Sequence, residues 1–218
     1  MGRTITSATT QQQCAFFNAA YCSSLAGEDG TVPTKLPESR FEDNLVPPVL
    51  PAPTADLDDS SDTPSAPVQD MDPNFLSFFR SLVLSPSVGG TKRLKKHRST
   101  SPLIVIISSS AKRSCQILQL LAPLKARIAK LFSKNMSVPS QVSMLSSPHP
   151  CAVGTPNRLL KLAEDGALSF GDTGLVIFDM KADKKGFSVV TLRDCQRDLM
   201  ALVRDHVVER RECKLVMY

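Results

Sequence analysis

The stretch that most restricts the fold of this chain is Leu103-Ile104-Val105-Ile106-Ile107. Consecutive aliphatic side chains without polar alternation describe a strand buried on both faces. Strands of that kind belong to parallel sheets covered by helices on each side. The run is also far shorter than the roughly 20 residues that cross a bilayer, so no membrane-spanning segment is expected.

The residues after it repeat the theme. Ser108 to Ser110 can cap a helix running to about Leu121, with Ile117, Leu118, Leu120 and Leu121 on its apolar side. Ala126 to Phe132 suits a second strand, with helix as the alternative because of its basic residues, and Ser137 to Leu145 a short helix. Cys151-Ala152-Val153-Gly154 is the third strand, followed by Thr155 as N-cap, Pro156 at N1 and Gly166 as the stop. Leu175 to Phe178 is the fourth strand. Thr191 and Asp194 form a capping-box-like pair opening a long helix, and Lys214 to Met217 is the fifth strand. Alternating strands and helices imply an open α/β sheet over residues 101–218, with helices on both faces.

The first part of the chain is of another kind. Residues 1–91 carry 4 basic and 11 acidic side chains and ten of the 16 prolines, whereas residues 92–218 carry 22 basic and 10 acidic. With so few large apolar groups to offset ordering entropy, residues 1–72 are expected to form a disordered acidic, Pro-rich tail. Only Leu36 to Phe41 regains hydrophobic character there, and it is a candidate docking motif. Residues 73–100 are expected to hold a short helix, begun by Asp72 and Pro73 with Phe75, Phe78, Phe79 and Leu82 on one side, and then a basic linker. That linker, with Lys92, Arg93, Lys95, Lys96 and Arg98, is a solvated run, a nuclear or nucleolar address, or a contact to RNA phosphate. No apolar core follows a basic start at the N-terminus, so no secretory leader is expected and the chain is placed inside the cell.

Several chemistries fit poorly. The six cysteines include no C-x-x-C pair and His97, His149 and His206 lie far apart, so no metal site is expected. Cys115, Cys151, Cys195 and Cys213 sit among apolar residues and are expected in the core. Gly89-Gly90-Thr91-Lys92 differs from a phosphate loop because Thr separates Gly from Lys and Ser85 stands at the first Gly position. Asp179 ends the fourth strand where a magnesium-binding aspartate would stand, yet Met180 follows it and supplies no group to orient water. Asp179 is therefore either a strand-end residue capping a turn or a vestigial or ligand-contacting acid. Hydroxyls and cations gather instead at two helix starts, Ser108-Ser109-Ser110-Ala111-Lys112-Arg113 and Thr155-Pro156-Asn157-Arg158. Backbone N–H groups, helix dipole and side chain could together hold a phosphate at such places.

These elements resemble the first RecA-like lobe of DEAD-box RNA helicases. Ser109 to Arg113 lies at the "PTRELA" position, Val153 to Arg158 is similar to the "TPGR" element, and Phe178-Asp179-Met180 replaces "DEAD". The ordered set Ser109 to Arg113, Lys130 to Lys134, Val153 to Arg158 and Cys213 to Leu215 more closely resembles the CMS-one family of small-ribosomal-subunit assembly proteins, a degenerate relative of that lobe. The resemblance covers roughly residues 103–218. It implies a nuclear, nucleolar protein of the processome that contains the U3 small nucleolar RNA, with pre-ribosomal or small nucleolar RNA and processome proteins as partners. No enzymatic activity, cofactor or DNA partner is expected. Ser110, Lys112, Arg113, Thr155 and Arg158 carry over as RNA contacts, while Asn157 departs from the usual Gly. An RNA-stimulated NTPase with an unusual site and an α/β protein-interaction domain unrelated to ribosomes stand as alternatives.

Overall fold

The computed structural model describes residues 9–26, 33–41, 74–134 and 136–218. Its centre is a five-stranded parallel sheet of β1 (Ile104–Ile107), β2 (Ile128–Leu131), β3 (Cys151–Gly154), β4 (Leu175–Phe178) and β5 (Lys214–Met217), in the order β2-β3-β1-β4-β5. The α/β class expected from the aliphatic runs is the observed one, and the architecture is compatible with a RecA-like lobe.

Strand alternation splits the core into two layers. Ile104, Ile106, Cys151, Val153, Leu175 and Ile177 face helices α2 (Phe75–Val83) and α4 (Ala111–Leu121), with Phe75, Phe78, Phe79, Ile117 and Leu121 filling that side. Val105, Ile107, Ala152, Val176, Phe178 and Leu215 face α1 (Thr10–Leu25), α6 (Pro156–Glu164) and α7 (Arg193–Leu202), through Phe17, Leu159, Leu162, Leu199 and Leu202. The other α-helices among the described residues are α3 (Gly90–Lys96) and α5 (Val138–Leu145), and α7 runs on into a π-helical turn, Val203–Val207. Among the described residues no helix is long and apolar enough to cross a membrane, and no three metal-binding side chains come together.

The structure departs from the expected tail. Residues 9–26 and 33–41 are folded onto the sheet; the rest of 1–72 lies outside the described residues, as do Asp72 and Pro73. Thr9 and Gln12 form a capping box that starts α1. Phe17 is fully buried, with its ring centroid 5.0 Å from Phe178 and 5.8 Å from Phe41. The buried positions of α1 are Gln13, Phe17, Asn18 and Tyr21. Two polar residues in that set blur the apolar stripe that would mark a core helix. Asn18 clamps the following segment, because its side-chain amide accepts from Leu36 N–H and donates to Leu36 C=O, both at 2.8 Å.

Leu36 to Phe41 does dock, on its own chain. Phe41 makes a parallel bridge to Leu215 at the outer edge of β5. Arg40 donates to the carbonyls of Cys213, Val208 and Val207 at 3.0, 2.9 and 3.0 Å, satisfying acceptors left open after the π-helical turn.

Three smaller differences follow from local competition. Residues 92–96 of the expected linker are helical within α3, because Leu94 is buried against α2 and anchors one turn, while the basic residues from Lys92 to Arg98 stay exposed. Thr191 forms no capping box: its hydroxyl accepts from Ser188 N–H at 2.9 Å, and Leu192 is the N-cap of α7. Cys115 is half-buried, whereas Cys151, Cys195 and Cys213 lie in the core.

Candidate nucleic-acid interface

Parallel strands deliver every βα loop to one edge, so the loops after β1, β3 and β4 are neighbours. From β1 the chain leaves to α4 on one layer; from the adjacent β3 it leaves to α6 on the other. Such a reversal opens a crevice at the carboxyl ends of the strands. The two helix starts singled out in the sequence flank it.

On the β1 side, Ser110 is the N-cap of α4 and accepts from Arg113 N–H at 3.2 Å. Ser108 is buried and shares a 2.7 Å hydrogen bond with Ser114, fixing the approach to the helix. Ser110 and Lys112 are exposed. Arg113, expected among the RNA contacts, is 7% exposed and turned inward. Its Nε and Nη2 donate to the two carboxylate oxygens of Asp179 at 2.8 and 2.9 Å. Asp179 is fully buried at the end of β4, so its carboxylate neutralises a cation of this chain, in the bidentate geometry that suits guanidinium. Each of its oxygens thereby accepts a hydrogen bond from Arg113.

On the β3 side, Gly154 meets a steric demand: a Cβ there would lie 2.6 Å from the Leu131 carbonyl and 2.8 Å from the Leu159 side chain. Thr155 is the N-cap of α6, with Pro156 in the first turn, and Gly166 follows the helix at φ +71°. The Thr155 hydroxyl makes no capping hydrogen bond, and the residue is half-buried. Asn157 is exposed and donates to Asp198 on α7 at 3.2 Å.

Arg158 is half-buried, and its Nη1 donates to Met136 C=O at 3.0 Å and Gln141 Oε1 at 2.6 Å. Gln141 is itself fully buried and donates to the carbonyls of Lys130 and Phe132. Gln141 therefore ties Arg158 to the β2 edge, a positioning role with no local signal in the sequence. Next to the Arg158 side, Lys130 on β2 and Lys134 just after it are also exposed.

The edge thus offers hydroxyls at Ser110 and Thr155, an exposed ammonium at Lys112 and a braced guanidinium at Arg158. Such groups suit phosphate and ribose oxygens. Lys92, Arg93, Lys95, Lys96 and Arg98 lie elsewhere, on and just after α3.

A family model described as "CMS1: U3-containing 90S pre-ribosomal complex subunit" matches residues 70–218, more than half of the chain and all five strands. Similar curated proteins include Protein CMSS1 of Danio rerio, 29% identical over 124 residues that make up 54% of this chain and 42% of the relative. Protein CMSS1 of Homo sapiens is 28% identical over 118 residues, 51% of this chain and 42% of the relative. Protein CMS1 of Chaetomium thermophilum is 28% identical over 111 residues, 49% and 44%. The matched segments span less than half the length of these relatives.

Proposed function

Because the chain belongs to the CMS1 family, we propose that it serves small-ribosomal-subunit assembly in the nucleolus as a non-catalytic scaffold that touches pre-ribosomal or small nucleolar RNA. The observation that carries this reading is the family match to a subunit of the U3-containing 90S pre-ribosomal complex, running through every strand of the sheet. The reading is supported by the position of Ser110, Lys112, Thr155 and Arg158 at the helix starts that follow the adjacent strands β1 and β3. Arg113 is left out of the contact set, since Asp179 holds its guanidinium. The same pairing argues against metal-assisted nucleotide chemistry at Asp179, whose two oxygens already accept from Arg113. The exposed cations from Lys92 to Arg98 are the proposed localisation signal.

The test is binding of the full chain to a labelled single-stranded RNA across a salt series. Affinity should fall with salt, and Lys112→Ala should reduce the slope by about 0.7 for the phosphate contact it removes. Binding independent of salt, or unchanged in Lys112→Ala combined with Thr155→Ala, defeats RNA contact at this edge. Nucleotide hydrolysis abolished by Asp179→Asn would defeat the non-catalytic reading.

A further inference from the structure

The opposite, amino edge of the sheet holds a cavity of about 720 Å³, within the range of formed ligand sites. It lies between α2 and α3 on one side and, on the other, the turn before β2 and the prolines before β3. Its apolar lining includes Val83, Leu84, Leu94, Leu124, Pro148 and Pro150. Around that lining stand Arg80, Lys95, Arg98, Lys125 and Arg127, and among the described residues no Asp or Glu lines the cavity. All five of these cations are exposed. Leu84 is 69% exposed beside them, an uncovered aliphatic side chain at the end of α2. Lys125 holds a left-handed backbone, φ 49°, a position where glycine ordinarily costs less, and so sets a cation at the rim.

We infer that this groove docks an acidic peptide segment of a partner protein that carries a leucine-like anchor. Two kinds of complementarity meet at this one place. A ring of cations without a carboxylate selects an anionic partner. An aliphatic floor rewards an apolar side chain inserted between the charges. Single-stranded RNA meets the first condition and misses the second. Its bases stack best on aromatic rings, and among the described residues the one aromatic ring lining the groove is His97, whose Nε2 is hydrogen bonded to Ser101 C=O at 2.8 Å. The guanidinium planes of Arg80, Arg98 and Arg127 could also stack a base, so RNA serves as the competitor in the test. The groove lies across the sheet from Lys112 and Thr155, so a peptide seated there leaves the carboxyl edge open and does not depend on RNA binding at it.

The test uses the full chain and a fluorescein-labelled peptide of alternating Glu and Leu, with a control in which every Leu is Ser and a single-stranded RNA as competitor. The Leu peptide should bind at least about fivefold tighter than the Ser control. Leu84→Asp and the pair Lys95→Glu/Arg98→Glu should each weaken it about tenfold. All three side chains are exposed, so the fold tolerates these changes, and Lys112→Ala should leave the affinity unaltered. Equal affinity for both peptides overturns the anchor. RNA that displaces the peptide and loses affinity in the same variants makes the groove an RNA site. Binding that emerges only after removal of residues 42–73 gives the groove to this chain's own acidic segment. Each of these results overturns the inference of a leucine-anchored partner peptide.

Discussion

The Arg113–Asp179 pair is the most informative single perturbation. Its side chains are 8% and 1% exposed, and two charge-assisted hydrogen bonds of 2.8 and 2.9 Å join them. With charge centres about 4 Å apart and an effective dielectric near 20, the attraction is roughly 4 kcal/mol, opposing the desolvation of both groups. Asp179→Asn keeps the volume but leaves the guanidinium without a counter-charge and sets an amide N–H against a donor. The expected loss is about 3 kcal/mol, which for a chain of this size lowers the melting temperature by roughly 6–12 °C. Arg113→Met strands the deeper of the two charges and should cost about 4 kcal/mol. The double variant Arg113→Met/Asp179→Leu removes both charges together and should lie within about 1 kcal/mol of the parent. Urea unfolding of the four proteins measures this cycle. Single variants within about 1 kcal/mol of the parent, or a double variant as unstable as the sum of the singles, would refute the buried-pair reasoning. The double variant should also bind RNA as the parent does, because Arg113 is spent inside the protein.

Gly154→Ala should destabilise by about 1–3 kcal/mol, since its Cβ would press on the Leu131 carbonyl and the Leu159 side chain; the same urea titration reads it. Burial pushes the thiols of Cys151 and Cys213 up to about 12 and that of Cys195 up to about 11. At pH 8 about one in ten thousand of the first two is thiolate, so a thiol reagent should spare them until the protein unfolds, while the half-buried Cys22 and Cys115 react first. The unfolded chain ionises these thiols near pH 8.5 and the folded chain does not. Stability should therefore fall as pH rises above about 8.5, by up to about 1.4 kcal/mol per pH unit for each such thiol. A melting temperature flat from pH 8 to 10 would contradict it.

The strands were legible because each is a compact aliphatic run: β3, β4 and β5 lie at the residues expected, and β1 and β2 within the expected stretches. The starts of α4 and α6 were equally plain, since Ser110 and Thr155-Pro156 are local signals. What the side chains do at those starts was not legible. Arg113 finds its acid 66 residues away, and Arg158 is held by Gln141, whose own partners are carbonyls of the edge strand β2. Contacts of that range leave no periodic trace in the chain. The N-terminal segments were hidden for another reason: Asn18 and Arg40 are buried and polar, satisfied by backbone groups of distant residues, so composition counted them as solvent-facing.

That burial moves the boundary of the folding unit. A parallel sheet exposes unpaired backbone at both edges, and each edge must be covered. At β2, Gln141 donates to the carbonyls of Lys130 and Phe132 and Lys130 is exposed. At β5, the cover comes from residues 36–41: Phe41 bridges Leu215, Lys214 Nζ donates to Ser39 C=O, and Arg40 fills three carbonyls. The family match begins at residue 70 and so omits this cover together with α1. A piece consisting of 70–218 would lay bare Phe178, which Phe17 screens with Phe41 packed behind it, and release the β5 edge. Exposing the phenylalanine layer alone costs about 3 kcal/mol for each large side chain left without its neighbour. That piece should therefore melt at least about 10 °C below the full chain or self-associate through the free edge, and Phe17→Ala in the full chain should lose about 3–5 kcal/mol. A monomeric 70–218 melting within about 2 °C of the full chain would mean that residues 9–41 only rest on a fold already complete without them.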